Sequence, residues 1–202
     1  LAPSVSRQKE IGVKYKYGGL LTTLSYFYID QENVIDIDVG GGKYRRAADG
    51  RDKFKGVEWT VNGKLAPKWI VTGGLMYIDA KRDKTQGGKN DGRFVNGVAD
   101  WSGVLGLVYE PNDSLGIIGR VVWNDAAYID NSNAPSGKTK IPSYTTFDLG
   151  VNYKTHLGQI PVSLSAMCYN VTNKDYWMGR GSSTTFGLSM PRTFMLSARF
   201  EF

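Results

Sequence analysis

The sequence predicts an all-β protein, an antiparallel up-and-down meander of about nine strands that belongs to the wall of a membrane barrel. Three observations predict it. Apolar and polar residues alternate with a period of two in many segments. Tight turns and long polar connections join these segments alternately, and aromatic residues gather near both segment ends. Among the 202 residues are 25 glycines and 12 tyrosines, which suit turns and strands better than helices.

The predicted strands follow one another along the whole chain. Most show the two-residue alternation, and turn-forming or charged residues bound each one. In chain order they are Ile11–Tyr17, Leu20–Ile37, Val57–Leu65, Trp69–Asp79, Trp101–Glu110, Leu115–Tyr128, Phe147–Tyr153, Val162–Val171 and Thr193–Phe202.

The last predicted strand is the most informative. From Phe194 to Phe202 every second residue is apolar. An apolar edge strand on a soluble sheet invites aggregation, whereas a barrel strand turns its apolar face to lipid. We therefore expect this strand to run to Phe202, as the terminal aromatic at the membrane–water boundary.

The connections alternate in length. In outer-membrane barrels the short turns are periplasmic and the long loops extracellular. The final strand should then end at the periplasmic side. The short connections are Gly18–Gly19, Ala66–Lys68, Pro111–Ser114 and His156–Pro161, and the long ones are Asp38–Lys53, Lys81–Gly97, Ile129–Pro142 and Lys174–Pro191.

Aromatic residues are predicted to form two bands, as at the two interfaces of a membrane barrel. Strand propensity and core packing would produce a similar pattern in a β-sandwich, so a soluble β-sandwich binding module stays an alternative. The band near the short turns is Tyr17, Trp69, Tyr109, Phe200 and Phe202, and the band near the long connections is Tyr28, Trp59, Trp101, Tyr128 and Tyr144.

Composition excludes several function classes. No apolar run approaches the roughly 20 residues of a transmembrane helix. Cys168 and His156 are the only cysteine and histidine, so a metal site of several such ligands and a disulfide within the chain are excluded. A Ser–His–Asp site would need His156, which lies in a turn-like segment. We therefore predict neither a catalytic nor a metal site, and no enzyme.

The formal charge of +6 predicts attraction for anionic partners such as lipopolysaccharide or an acidic ligand. The basic residues are scattered, so nucleic acid is not an expected partner.

Five blocks resemble, in family order, the C-terminal part of the barrel of TonB-dependent outer-membrane receptors, most closely those of the ferric-siderophore branch. In the second block, Val57, Trp59 and Val61 are expected to face lipid, and the residues between them the lumen. The blocks are SRQKEIGVKYKY, FKGVEWTVNGKLAPKWIVTGGLMYIDA, IPSYTTFDLGVNYK, YNVTNKDYW and MPRTFMLSARFEF.

The resemblance implies a roughly 22-stranded transmembrane β-barrel with a plugged lumen, in the outer membrane of a Gram-negative bacterium. Residues 1–202 would supply its C-terminal part, with the plug and the N-terminal barrel strands absent. The implied function is active import of a ferric siderophore, energised by TonB through the missing N-terminal region. A passive outer-membrane porin is the alternative.

The resemblance also implies ligands and partners. A siderophore delivers its iron already chelated, so no cofactor bound by this chain is expected. Expected partners are TonB, the siderophore, outer-membrane lipid and lipopolysaccharide, and the barrel-assembly machinery through Phe202. Arginine binds carboxylates and aromatic faces pack on a siderophore backbone. The candidate ligand-binding residues in the long connections are Tyr44, Arg45, Arg46, Arg93, Phe94, Tyr176, Trp177 and Arg180.

Overall fold

The computed structural model describes residues 3–130, 139–179 and 186–202. Apart from one short 3₁₀ turn at Gln86–Gly88, the regular elements in these ranges are strands. No helix there is long and apolar enough to cross a bilayer. The strands are β1 (Ser6–Tyr17), β2 (Leu20–Asp38), β3 (Tyr44–Ala66), β4 (Trp69–Lys84), β5 (Trp101–Asn112), β6 (Leu115–Asn124), β7 (Ala127–Asp130), β8 (Thr139–Ile141), β9 (Tyr144–Leu157), β10 (Ile160–Tyr169), β11 (Trp177–Gly179), β12 (Phe186–Leu188) and β13 (Thr193–Phe200).

Nine of these strands form one antiparallel sheet in the order β1-β2-β3-β4-β5-β6-β9-β10-β13. Each strand pairs with the next main strand along the chain, so the predicted meander is confirmed. The remaining strands form two hairpins within the long connections, β7 with β8 and β11 with β12.

The first long connection is shorter than predicted. The expected loop Asp38–Lys53 is wrong, because β3 begins at Tyr44 and pairs with β2 as far as Asp38. Three consecutive glycines, Gly40 to Gly42, have φ of 85°, 61° and 73° and close the hairpin. Only glycine adopts such a run without strain. The polar residues of this segment indicated a loop, but they lie in strands whose two faces are both exposed to water.

Three predicted strands run past the observed ends. The segment Leu115–Tyr128 is divided, because β6 ends at Asn124 and Tyr128 belongs to β7. Between them the carboxylate of Asp125 accepts a hydrogen bond from the backbone N–H of Ala126, which turns the chain. β10 ends at Tyr169, because Asn170 has a φ of 50°. β13 ends at Phe200, although the N–H of Glu201 still donates to the carbonyl of Pro161.

The sheet has two chemically distinct faces. The apolar face is the one that carries Trp59, and the register places apolar residues on it in all nine strands. Most of its large side chains are exposed, Leu196 by 81% and Ile11 by 75%, although Val71 and Val162 are buried among their neighbours, so no second layer of described residues covers this face. Representative members are Val13, Leu24, Trp59, Leu75, Leu105, Val121, Phe147, Ala166 and Leu196.

The polar face is the one that carries Asp148. Glu58, Thr60 and Asn62 lie on it, whereas Val57, Trp59 and Val61 lie on the apolar face, as the alternation predicts. Two polar groups of the apolar face are satisfied locally. The indole Nε1 of Trp59 donates to Thr22 Oγ1 at 2.9 Å, and that hydroxyl donates to the carbonyl of Thr60. Such pairing is what lipid contact requires.

Two aromatic pairs mark opposite ends of the apolar face on β4 and β5. Trp69 and Tyr109 lie next to the short turns with ring centroids 4.7 Å apart. Tyr77 and Trp101 lie at the other end, 5.0 Å apart. The predicted second band is wrong at Tyr128, which lies in the β7–β8 hairpin, and at Tyr144, which pairs with Asn124 on the polar face.

Candidate functional site

The clearest grouping of aromatic and polar side chains lies on the polar face, at the end away from the short turns. The rings of Tyr144 and Tyr176 are stacked, with centroids 3.9 Å apart and planes 15° apart. Asn124 Nδ2 donates to the hydroxyl of Tyr144 at 2.8 Å. Tyr176 thus reaches from the last long connection onto the strand wall, and we call these three residues the tyrosine cluster.

Backbone contacts hold Tyr176 in this position. Its N–H donates to the hydroxyl of Ser189 at 3.1 Å, and the N–H of Ser189 donates to the carbonyl of Tyr176 at 2.9 Å. The two sides of the connection are therefore tied together next to the β11–β12 hairpin. Such support orients an aromatic surface without requiring a ligand.

An ion pair lies beside the tyrosine cluster on the same face. Arg120 donates from both Nε and Nη2 to one oxygen of Asp148. The other oxygen of Asp148 accepts the N–H of Asn170 at 2.7 Å. The guanidinium also lies 5.7 Å from the ring centroid of Tyr169. Asp148 is only 4% exposed, so the pair connects β6, β9 and β10 through a buried carboxylate.

Asn170 and Asn173 then direct the chain after β10. Both have φ near 50°, a left-handed conformation that asparagine tolerates. The Asn170 amide bonds both the N–H and the carbonyl of Lys174, and the carbonyl of Met190. Asn173 Oδ1 accepts the N–H of Arg192. These two asparagines thus close the base of the connection that carries Tyr176.

The first group of sequence-predicted site residues lies at the start of β3. Tyr44, Arg45 and Arg46 pair with Asp38, Ile37 and Asp36 of β2, respectively. Arg46 Nε lies 3.1 Å from Asp36 Oδ1, so its charge is already paired.

Tyr44 is 60% exposed and lines an open cavity of about 590 Å³ between the β2–β3 hairpin and the residues that follow β4. Asp49, Lys84 and Asp91 line the same cavity.

The second group, Arg93 and Phe94, lies in the connection between β4 and β5. The ring of Phe94 stacks on Tyr128 with centroids 5.1 Å apart, and Lys81 Nζ lies 3.2 Å from its centroid. Lys81 pairs with Lys53 on the continuation of the apolar face, and Phe94 pairs with Lys81. Phe94 therefore faces away from the tyrosine cluster.

The members of the third group of sequence-predicted site residues, Tyr176, Trp177 and Arg180, do not lie together. Tyr176 belongs to the tyrosine cluster, and Trp177 begins β11 opposite Leu188 with a side chain 47% exposed. Arg180 lies outside the described residues. The structure therefore distributes the predicted residues over separate parts of one end of the sheet, and only Tyr176 is stacked within the cluster.

Sequence reasoning missed Asn124, Tyr144, Arg120 and Asp148 as site residues. Asp148 and Arg120 do alternate with apolar neighbours, which places each on a polar strand face. Their pairing could not be predicted, because the register between β6 and β9 is set across a long connection. Within the described ranges, no group of three or more His, Cys, Asp or Glu residues is arranged to hold a metal ion.

Comparison with known proteins identifies the architecture. The family described as TonB dependent receptor-like, beta-barrel matches residues 1–171. The ferrichrome receptor FcuA of Yersinia enterocolitica is 29% identical over 98% of this chain, which spans 26% of that protein. The ferripyoverdine receptor of Pseudomonas aeruginosa is 28% identical over 100% of this chain, which again spans 26% of the relative.

Solved structures of related receptors have the same architecture. The ferric preacinetobactin receptor BauA of Acinetobacter baumannii superposes with a TM-score of 0.84 at 29% identity, covering 98% of this chain and 29% of that one. The outer-membrane ferripyoverdine receptor of Pseudomonas aeruginosa gives a TM-score of 0.74 at 26% identity, covering 99% of this chain and 27% of that one. The chain thus spans about a quarter of the length of these proteins and shares their fold throughout.

Proposed function

The chain belongs to the TonB-dependent receptor β-barrel family, and on that basis we propose that it forms nine strands of the wall of a receptor that imports a ferric siderophore. The import is energised through TonB. The plug, the contact with TonB and the remaining strands belong to other parts of the receptor, and residues 1–202 form the C-terminal part of its barrel. The chain serves as receptor wall and ligand surface, not as an enzyme.

The two-faced sheet is the observation that carries this proposal. In an outer-membrane barrel the apolar face contacts lipid and the polar face lines the lumen. The aromatic pairs Trp69–Tyr109 and Tyr77–Trp101 lie at opposite ends of the apolar face, as expected at the two interfaces. The end with the short turns is periplasmic, and the tyrosine cluster lies at the extracellular end of the lumen.

The ligand surface follows from that orientation. Tyr176 and Tyr144 present a stacked aromatic surface to the upper lumen, and Tyr44 lines the cavity on the β2–β3 hairpin. We place siderophore contact at Tyr176 first, with Tyr44, Arg45, Arg46, Arg93, Phe94, Trp177 and Arg180 as further contacts from the long connections. The iron arrives chelated as cargo, so no protein ligand to it is needed.

The outward face also supports a lipid environment. Acyl chains would cover the apolar band. Beyond Tyr77 the same face becomes charged, with Lys53 paired to Asp83 at 2.8 Å and Lys55 paired to Asp79 at 3.3 Å. Headgroups of lipopolysaccharide would lie next to these residues. Phe202, which is fully exposed, is the proposed contact for the barrel-assembly machinery.

Uptake by the full receptor tests the proposal. The parent gene is expressed in an iron-starved host that lacks its own siderophore receptors, and uptake of a panel of iron-labelled siderophores is measured with and without TonB. We expect saturable uptake of at least one ferric siderophore that requires TonB. Uptake that continues without TonB would favour the passive porin, and uptake of no ferric siderophore would contradict the substrate class.

A further inference from the structure

One row of residues crosses the polar face at the level of the tyrosine cluster. The register pairs Glu58 with Met76, Met76 with Ser102, Ser102 with Asn124, and Asn124 with Tyr144. Directly paired residues share a face, so all five belong to the face of Asp148. Because neighbouring strands lie about 4.8 Å apart, the row extends over roughly 19 Å of the wall. A carboxylate lies at one end of it and the stacked rings of the tyrosine cluster lie at the other.

An apolar depression lies beside the middle of this row. It is an open cavity of about 320 Å³, lined by Met76, Val104 and Val122 together with Glu58. Val104 pairs with Gly74 on one side and with Val122 on the other, so the glycine leaves a gap between larger side chains. Val104 is 40% exposed although it lies on the polar face. We call this cavity the wall groove.

The charge of the wall groove comes from Glu58. Among the described residues that line the groove, only Glu58 is charged. Its side chain is exposed, and none of the salt bridges between described residues includes it. Asp148, further along the same face, is by contrast paired with Arg120. The groove therefore combines apolar side chains with a negative charge, which attracts a cationic group.

We infer that the wall groove selects ferric siderophores that carry a protonated amine on an apolar arm, with Glu58 as the specificity-determining residue. This inference rests on the proposed function, because that function makes the polar face the lumenal wall and the tyrosine cluster a ligand surface. The groove continues from that surface, since Asn124 both lines the groove and donates to Tyr144.

Each part of such a ligand has a place on the wall. The ferric chelate lies against the tyrosine cluster, the apolar arm lies against Met76, Val104 and Val122, and the ammonium group pairs with Glu58. Apolar pockets with a few placed polar groups recognise ligands in this way. A siderophore with a free carboxylate on its arm is disfavoured, because like charges would face each other at Glu58.

A matched pair of ferric chelates tests the inference in cells that express the full receptor. Desferrioxamine B is a linear trihydroxamate whose pentamethylene arm ends in an amine, and N-acetylation removes only that charge. Binding of the two iron-labelled complexes is measured on whole cells at low temperature, so that import does not contribute. We expect the amine form to bind roughly 3- to 5-fold more tightly, as for a partly solvated ion pair. Equal affinity for the two forms, or uptake confined to neutral or anionic ferric siderophores, would overturn the inference.

Substitution of Glu58 assigns the preference to this residue. Glu58→Gln should abolish the preference by weakening binding of the amine form alone, whereas Glu58→Asp should retain it. Glu110→Gln is the matched control, because Glu110 lines a separate cavity with Lys154 next to the short turns, and its loss should leave the preference unchanged. An equal loss of both complexes in Glu58→Gln, at equal receptor levels, would indicate a structural role and contradict the inference.

The inference and the proposed function fail in different ways. If the receptor takes up a ferric siderophore through TonB without distinguishing the two complexes, this inference alone is wrong. A preference that Glu58→Gln leaves intact would also contradict it, since the selectivity would then belong to another part of the receptor. If no ferric siderophore is taken up at all, the proposed function fails and the inference fails with it.

Discussion

Arg120 and Asp148 face each other across β6 and β9, and both Nε and Nη2 of the arginine donate to the same carboxylate oxygen, at 2.7 and 2.6 Å. The second oxygen of Asp148 is occupied by the N–H of Asn170. One buried carboxylate therefore joins two strands of the wall to the start of the connection that carries Tyr176. The pair has both an architectural role and an effect on the position of the ligand surface.

Arg120→Ala should destabilise the barrel. It leaves the carboxylate of Asp148 buried with a single donor, and removing one partner of a buried ion pair costs several kcal/mol. Because the Arg120 side chain is 44% exposed and water partly replaces it, we expect a loss of about 2 to 3 kcal/mol. Denaturant unfolding of the purified full receptor in detergent measures it.

The control for that substitution is Arg199→Ala. Arg199 Nε lies 3.8 Å from Glu201, and the arginine side chain is 80% exposed, so its removal should cost less than about 1 kcal/mol. Equal losses in the two variants would contradict a specific role for the Arg120–Asp148 pair.

Asn170→Gly should destabilise the last long connection more than Asn173→Gly. Both positions have φ near 50°, which glycine adopts freely, so the comparison isolates the side-chain hydrogen bonds. Asn170 loses three such bonds and Asn173 one. At roughly 1 kcal/mol per bond, the expected losses are about 3 and about 1 kcal/mol. Proteolysis rates of the connection measure them, and a larger effect at Asn173 would be contrary evidence.

The sequence predicted the sheet better than the site, for a physical reason. The alternation of Val57, Trp59 and Val61 with Glu58, Thr60 and Asn62 is a local pattern, and a lipid-facing strand enforces it residue by residue. The pairing of those strands that are joined by short turns follows from the turns, which permit only neighbouring antiparallel pairs. The face of each residue and the pairing of these strands can therefore be predicted from the sequence, and the register confirms them.

Contacts that span the long connections are not local in this sense. The stack of Tyr144 on Tyr176 joins β9 to a residue beyond β10, and nothing in either neighbourhood specifies the other. The start of β3 at Tyr44 was missed for a related reason. Beyond the membrane both faces of a strand are solvated, so the alternation that identifies strands disappears where Arg45 and Arg46 pair with β2.

Gly56→Ala should impair assembly, because a Cβ at this position would clash with the carbonyl oxygen of Tyr77 and the ring of Phe27. The backbone cannot move away without breaking the pairing of β3 with β4. Gly106→Ala is a matched control on the same face, where the nearest atom to a new Cβ is the Thr72 carbonyl oxygen at 3.6 Å. We expect a reduced yield of folded, heat-modifiable receptor for Gly56→Ala alone. Normal yield for both variants would contradict the close approach.

Tyr176→Ala should weaken siderophore binding. An aromatic stacking partner contributes about 0.5 to 1.5 kcal/mol, which corresponds to a roughly 2- to 12-fold increase in Kd. Binding is measured on whole cells at low temperature, so that import does not contribute. Tyr176→Phe should retain binding, since the ring remains. Tyr17→Ala, at the opposite end of the sheet, is the control, and an equal loss there would indicate impaired assembly instead of lost ligand contact.

The carboxyl of Asp49 should titrate at an unusually low pH. Lys84 Nζ donates to Asp49 Oδ1 at 2.6 Å beside the Tyr44 cavity, and this hydrogen bond, with the lysine charge, lowers the pKa of Asp49 below its ordinary value of 3.8. A depressed pKa in the folded state means that the contact stabilises the hairpin at pH above 3.8. That stabilisation is lost as the pH falls through the folded pKa. Carbon-13 NMR of aspartate-labelled receptor measures the midpoint. Lys84→Met should raise it toward 3.8, whereas Lys84→Arg should keep it low, and an unchanged midpoint in Lys84→Met would refute the assigned cause.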